Sequence, residues 1–172
     1  TDGAGFLRAL KEEIKEEISG MTCLIIGAGG AAKAVSLALG ESGAKEVIVS
    51  SRDASKSETV AQLAGESGKV GSLSDGERVD LIVNATPIGM NGTKNEGLLP
   101  LPATVMNKDQ IIVDLIYYPI ETEFLANARK IGARTMNGIG MLVHQAALQY
   151  TLWTDKEAPL EAMHNAVIKK IS

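Results

Sequence analysis

Apolar residues recur along this chain in two alternating rhythms. Over residues 4–19 they return every three to four positions: Phe6, Leu7, Leu10, Ile14 and Ile18 share one side, while Lys11, Glu12, Glu13, Lys15, Glu16 and Glu17 take the others. That spacing predicts an amphipathic helix, with Thr1 or Asp2 placed to cap it and Gly20 to end it. The rhythm then changes to a short continuous apolar run at 21–26, the mark of a strand buried on both faces. The same reading predicts helix 31–42, strand 46–50, helix 54–64, a weak strand 69–71, and strands 79–84 and 110–115. Helix 121–131 follows, with Leu125, Ala128 and Ile131 inward, and then a short strand 134–136. From Gly138 to Trp153 the pattern is apolar almost all round, which predicts a buried helix, and Leu160, Met163, Val167 and Ile171 mark a last amphipathic helix over 157–171. Strands alternating with helices give an α/β fold: a doubly wound, mostly parallel six-stranded sheet with helices on both faces. The stretch 89–105 has glycines, Pro100 and Pro102 but no period, and a loop of that length is expected to be functional.

The bulk properties narrow the class. The 172 residues suit one domain, and a net charge of −4 with a pI near 5.3 gives no reason to expect a nucleic acid or membrane partner. No apolar run approaches the ~18 residues of a membrane helix, and the start lacks a basic and then apolar leader, so the cytoplasm is the expected compartment. The single cysteine, Cys23, excludes an internal disulfide and sits in the first strand as a small buried hydrophobe; one cysteine and two distant histidines supply no metal site.

The chemistry begins after the first strand. Gly27-Ala28-Gly29-Gly30-Ala31-Ala32 matches G-x-G-x-x-[GA] between a strand and a helix, the setting that makes this a dinucleotide-binding, Rossmann-type signature. Gly27 allows the tight turn, Gly29 admits a pyrophosphate close to backbone, and Ala32 lets the helix pack on the strand. The helix start offers unpaired N–H groups to phosphate. The end of the second strand selects the cofactor. An acidic residue there would hold a ribose 2′-hydroxyl; here Ser51 and Arg52 stand in its place, a hydroxyl and a cation suited to the 2′-phosphate of NADP. Asp53 either caps the next helix or reaches the ribose, in which case NAD also binds. A Tyr-x-x-x-Lys pair and a Gly-Lys-[Ser/Thr] triplet are both missing, which sets aside short-chain dehydrogenases and P-loop nucleotidases.

Five stretches together resemble one family. They are Thr1-Asp2-Gly3-x-Gly5-Phe6, the glycine loop, Asn84-Ala85-Thr86-Pro87-Ile88-Gly89-Met90, Asp114-Leu115-Ile116-Tyr117-Tyr118-Pro119, and Asn137-Gly138-Ile139-Gly140-Met141 running on to Gln145. In this order they resemble shikimate and quinate/shikimate dehydrogenases over nearly the whole chain. The resemblance implies reversible hydride transfer between NADPH and 3-dehydroshikimate, giving shikimate, a step of aromatic amino-acid biosynthesis. It also implies an N-terminal substrate domain of about a hundred residues ahead of this chain, a size typical of one domain. The 172 residues would then be a single dinucleotide-binding domain whose helices 4–19 and 157–171 pack near the missing part. The outer faces of those helices would be sticky in isolation and support a homodimer.

The resemblance also implies roles. Asp2 matches the catalytic aspartate, whose partner lysine lies in the absent domain. Asn84, Ala85 and Thr86 match a turn beneath the cofactor; Leu115 and Ile116 match apolar positions against nicotinamide; Gly138 and Met141 match the stretch where that ring lies close to backbone. Tyr117 and Gln145 match substrate-side positions. His144 is expected to be structural or partly exposed. Two readings stay open beside the first: a quinate/shikimate dehydrogenase using NAD or NADP, and a non-catalytic NADP-binding module.

Overall fold

The structure, a computed structural model, describes residues 1–171. Six strands form one sheet in the order β3-β2-β1-β4-β5-β6: β1 (Thr22–Ile26), β2 (Glu46–Ser50), β3 (Gly68–Val70), β4 (Leu81–Asn84), β5 (Ile111–Asp114) and β6 (Arg134–Met136). Every pairing is parallel, so the sheet is wholly rather than mostly parallel. The strand order reverses between β1 and β4, which opens a crevice at the carboxyl ends of those strands.

Alternation along each strand divides the apolar residues between two cores. Cys23, Ile25, Val47, Val49, Leu81, Val83, Ile111 and Val113 face one side. There they meet α1 (Asp2–Glu13), α2 (Gly30–Glu41), α3 (Ala54–Gln62) and Met141 of α5 (Gly138–Thr154). Leu24, Ile48, Ile82 and Ile112 face the other side. That face is covered by α4 (Glu123–Lys130), through Phe124, Leu125 and Ala128, together with Leu101, Val105 and Met106. The stretch 89–105, expected to be functional, therefore spends its second half roofing a core, where a helix would otherwise sit. Its Ala103–Val105 segment forms a turn of 3₁₀-helix.

Helix α1 lies antiparallel to α5: Gly5 faces Gln145, while Gly140 faces Ala9 and Glu13. A β-carbon on Gly5 would lie 2.7 Å from the Gln145 nitrogen, so glycine is what lets the two helices touch. The predicted helix 4–19 is shorter at its end. It stops at Glu13 because Lys15 adopts φ 61°, and residues 14–20 carry the chain to β1 while Ile18 still enters the core. Its N-cap position is held by Thr1, which makes no side-chain cap hydrogen bond, and Asp2 is the first helical residue. The predicted helix 54–64 ends at Gln62 and gives way to a 3₁₀ turn over Gly65–Ser67. The last helix, α6 (Leu160–Ile171), starts three residues later than predicted, since Pro159 keeps Ala158 out of helical conformation. No helix among the described residues is long and apolar enough to cross a membrane.

Candidate dinucleotide site

The turn after β1 is shaped by glycine at three positions. Gly27 sits at φ 117°, and a β-carbon there would lie 2.8 Å from the Ala85 carbonyl and 3.0 Å from Thr86 Cγ2. The glycine loop and the turn after β4 are thereby pressed together. Gly29 and Gly30 are different: nothing lies within 4 Å of where their β-carbons would be. Gly29 is the N-cap of α2 and provides no side-chain cap, so the first-turn N–H groups have no side-chain partner. Ala28 and Ala31 are half-buried beside them, and Ala32 is fully buried against the sheet. A side-chain-free approach to an uncapped helix start is the cradle a pyrophosphate requires, and these residues fit it.

Beyond β2, Arg52 is exposed and makes no ion pair among the described residues. Asp53 resolves as the helix cap. Its carboxylate accepts from the Lys56 backbone N–H (3.1 Å) and pairs with the Lys56 ammonium (3.3 Å), which together hold its carboxyl below the ordinary value. Ser51 is drawn into the same turn: its hydroxyl donates to the Asp53 carbonyl (2.9 Å) and shares a hydrogen bond with Ser57 Oγ (2.8 Å). Of this group, Arg52 alone is left with its polar atoms uncommitted.

Across the crevice, Asn84 is wholly buried, and its side chain serves the protein. Its Oδ1 accepts from the backbone N–H (3.0 Å) and hydroxyl (2.6 Å) of Thr86, and its Nδ2 donates to the Ile88 carbonyl (3.1 Å) and to Asp114 Oδ1 (3.0 Å). Gly138 packs against the Leu115 carbonyl, with no room for a β-carbon, and its N–H donates to the Ile116 carbonyl (2.9 Å). Leu115 is half-buried, whereas Ile116 is buried and Met141 belongs to the core. Tyr117, 42% exposed, projects from the loop after β5.

Asp2 and Gln145 meet through two residues the sequence did not mark for the purpose. Gln149 Nε2 donates to Gln145 Oε1 (2.9 Å) and to Thr1 Oγ1 (3.1 Å), and Thr1 Oγ1 donates to Asp2 Oδ1 (3.3 Å). Asp2 lines a groove of about 460 Å³ between α1 and α2, bordered by Ala34 and Leu37. His144 is buried, its Nε2 3.0 Å from Glu12 Oε2, and so ties α5 to α1. Among the described residues no cluster of histidine, cysteine and carboxylate could hold a metal ion.

Sequence reading also passed over Asp114. It is completely buried at the end of β5, and burial pushes its carboxyl up to about 6 despite hydrogen bonds from Thr122, Ile116 and Asn84. An acid closing an apolar strand is the signal that could have found it, because such a group needs partners.

Known proteins share this sequence and fold. The family described as Shikimate / quinate 5-dehydrogenase matches residues 9–124, and the Shikimate 5'-dehydrogenase C-terminal domain matches residues 138–168. The shikimate dehydrogenase (NADP(+)) of Methanopyrus kandleri is 42% identical over 99% of this chain, which covers 62% of that protein. That of Methanocaldococcus jannaschii is 40% identical over the whole chain and 63% of its own length. A crystal structure of a shikimate dehydrogenase in complex with NADP+ superposes with a TM-score of 0.91 at 38% identity, over 99% of this chain and 61% of that one. A quinate dehydrogenase from Corynebacterium glutamicum in complex with NAD gives 0.89 at 29% identity, over 98% of this chain and 62% of that one. The chain thus spans a little over three-fifths of the length of the relatives it matches.

Proposed function

The chain belongs to the shikimate / quinate 5-dehydrogenase family, and from that premise we propose that it is the dinucleotide-binding part of an NADP-dependent shikimate dehydrogenase. The reaction is the reversible conversion of 3-dehydroshikimate to shikimate. The observation that carries this reading is the uncapped start of α2 with open space over Gly29 and Gly30. When bound, NADPH supplies the hydride for the ketone carbon.

The chain's own residues bind and orient. The N–H groups of the first turn of α2 hold the pyrophosphate. Arg52 pairs with the 2′-phosphate, and Asp53, occupied in capping α3, does not oppose it. Ser51 sets the turn that presents Arg52. Ala85 and Thr86 after β4, and Leu115, Gly138 and Met141 after β5 and β6, are assigned to the ribose and nicotinamide, Met141 from within the core. Gln145, steadied by Gln149, hydrogen-bonds substrate hydroxyls. Tyr117 overhangs the same region. Asp2 supplies the carboxylate beside the proton donor, the lysine that the resemblance places outside these 172 residues.

Calorimetry with NADPH and NADH tests the cofactor assignment. NADPH is expected to bind at least ~10-fold tighter, with the preference lost in Arg52→Ala, as removal of one charge-assisted phosphate contact predicts. Equal binding of both nucleotides by the unaltered chain would overturn the 2′-phosphate site, and binding of neither would overturn the cofactor reading.

A further inference from the structure

Asp114 gathers three parts of the chain at one carboxylate. Oδ1 accepts from Asn84 Nδ2 (3.0 Å) at the end of β4 and from the backbone N–H of Ile116 (3.1 Å). Oδ2 accepts from Thr122 Oγ1 (2.7 Å), which is the N-cap of α4 and itself accepts from the Leu125 N–H (3.3 Å). Asn84 passes the restraint outward to Thr86 and Ile88, and the Thr86 hydroxyl in turn accepts from the Ile88 N–H (3.1 Å). One buried acid thus fixes residues 84–88 and 115–122 relative to each other and ties both to the first turn of α4.

The topology says which half of a dinucleotide this concerns. Ligands straddle the point where strand order reverses. Arg52 stands beyond β2 on one side of it; the two segments held by Asp114 stand beyond β4 and β5 on the other. Building on the cofactor reading above, we propose that Asp114 is a positioning residue for the half of the site remote from Arg52. It holds residues 84–88 and 115–122 in one preset arrangement, so that Ala85, Thr86 and Leu115 receive the nicotinamide end. A carboxylate is needed because three donors converge on it. Asparagine would keep the Oδ1 links but present an amide N–H₂ to the Thr122 hydroxyl, whose proton then loses its acceptor.

The test compares the unaltered chain with Asp114→Asn and with Thr122→Val, which removes the same link from the other end and leaves the acid in place. Two probes are titrated: NADP+ and adenosine 2′,5′-bisphosphate, which lacks the nicotinamide half. Amide hydrogen exchange is followed at Thr86, Ile88 and Ile116. In both variants NADP+ should bind roughly 10-fold more weakly, as expected when a buried charge-assisted hydrogen bond is lost. Adenosine 2′,5′-bisphosphate should keep its affinity, and the three amides should exchange faster. A general loss of stability would weaken both probes together; that result, unchanged exchange, or unchanged NADP+ binding overturns the proposal. Failure of the unaltered chain to bind either probe is a different result, which removes the cofactor reading and this inference with it.

Discussion

At the scale of single residues, Asp114 makes stability depend on pH in an unusual direction. Its carboxyl is raised from the ordinary 3.8 to about 6, so the unfolded chain releases this proton first. The contribution is fully present below the unfolded value and is lost as pH rises through about 6, a total of ~3 kcal/mol. Glu46 works the other way. Hydrogen bonds from Arg78 and Lys69 hold it at about 2, so its contribution is present above its ordinary 4.5 and is lost as pH falls toward about 2. Urea denaturation of the parent chain and Asp114→Asn should therefore show a stability difference that shifts by ~2 kcal/mol against the parent between about pH 4 and about pH 7. Gly138→Ala is expected to cost ~3 kcal/mol, because its β-carbon meets the Leu115 carbonyl and backbone has nowhere to go. These cases also mark what a residue's identity reveals. The capping role of Asp53 could be read from its place before a helix. For Asp114 the sequence offers only an acid closing an apolar strand; its partners Asn84 and Thr122 are on segments that the fold alone brings near.

At the scale of elements, α1 is the piece most dependent on close packing. Gly3 sits against Ala34 and Ala38 of α2, Gly5 against Gln145, and Phe6 is completely buried. Phe6→Ala should lower stability by ~3–5 kcal/mol in chemical denaturation. Gly5→Val should cost ~2 kcal/mol or more and also shift Gln145, seen as altered amide resonances along α5 rather than along α4. Periodicity located every α-helix and strand, though not the 3₁₀ turns such as Leu73–Arg78, because two-face burial and amphipathic spacing are local properties. It misplaced the end of α1, where Lys15 takes a left-handed conformation that its side chain does not announce. It also could not foresee that residues 101–106 take over the work of a helix, since Pro100 and Pro102 interrupt any helical reading around Leu101, Val105 and Met106.

At the scale of the whole molecule, the strand–helix alternation and the right-handed crossover rule were enough to reach a doubly wound parallel sheet. The placement of the crevice follows from that topology, whereas the Thr1–Gln149–Gln145 linkage depends on packing between the two ends of the sequence. On the function proposed above, the 172-residue chain alone is expected to bind NADP+ without oxidising shikimate, measured as NADPH absorbance, because the resemblance places the lysine that would pair with Asp2 outside these residues. Leu152 and Trp153 at the end of α5 are 74% and 79% exposed.

The two outermost strands carry a consequence of another kind. β3 and β6 are only three residues long, and each bears a cation, Lys69 and Arg134, engaged with Glu46 and Glu16. Short, charged margins are poor templates for an incoming strand. Such edges oppose growth into an endless ribbon of backbone hydrogen bonds, so concentrated solutions of the folded chain should stay free of amyloid.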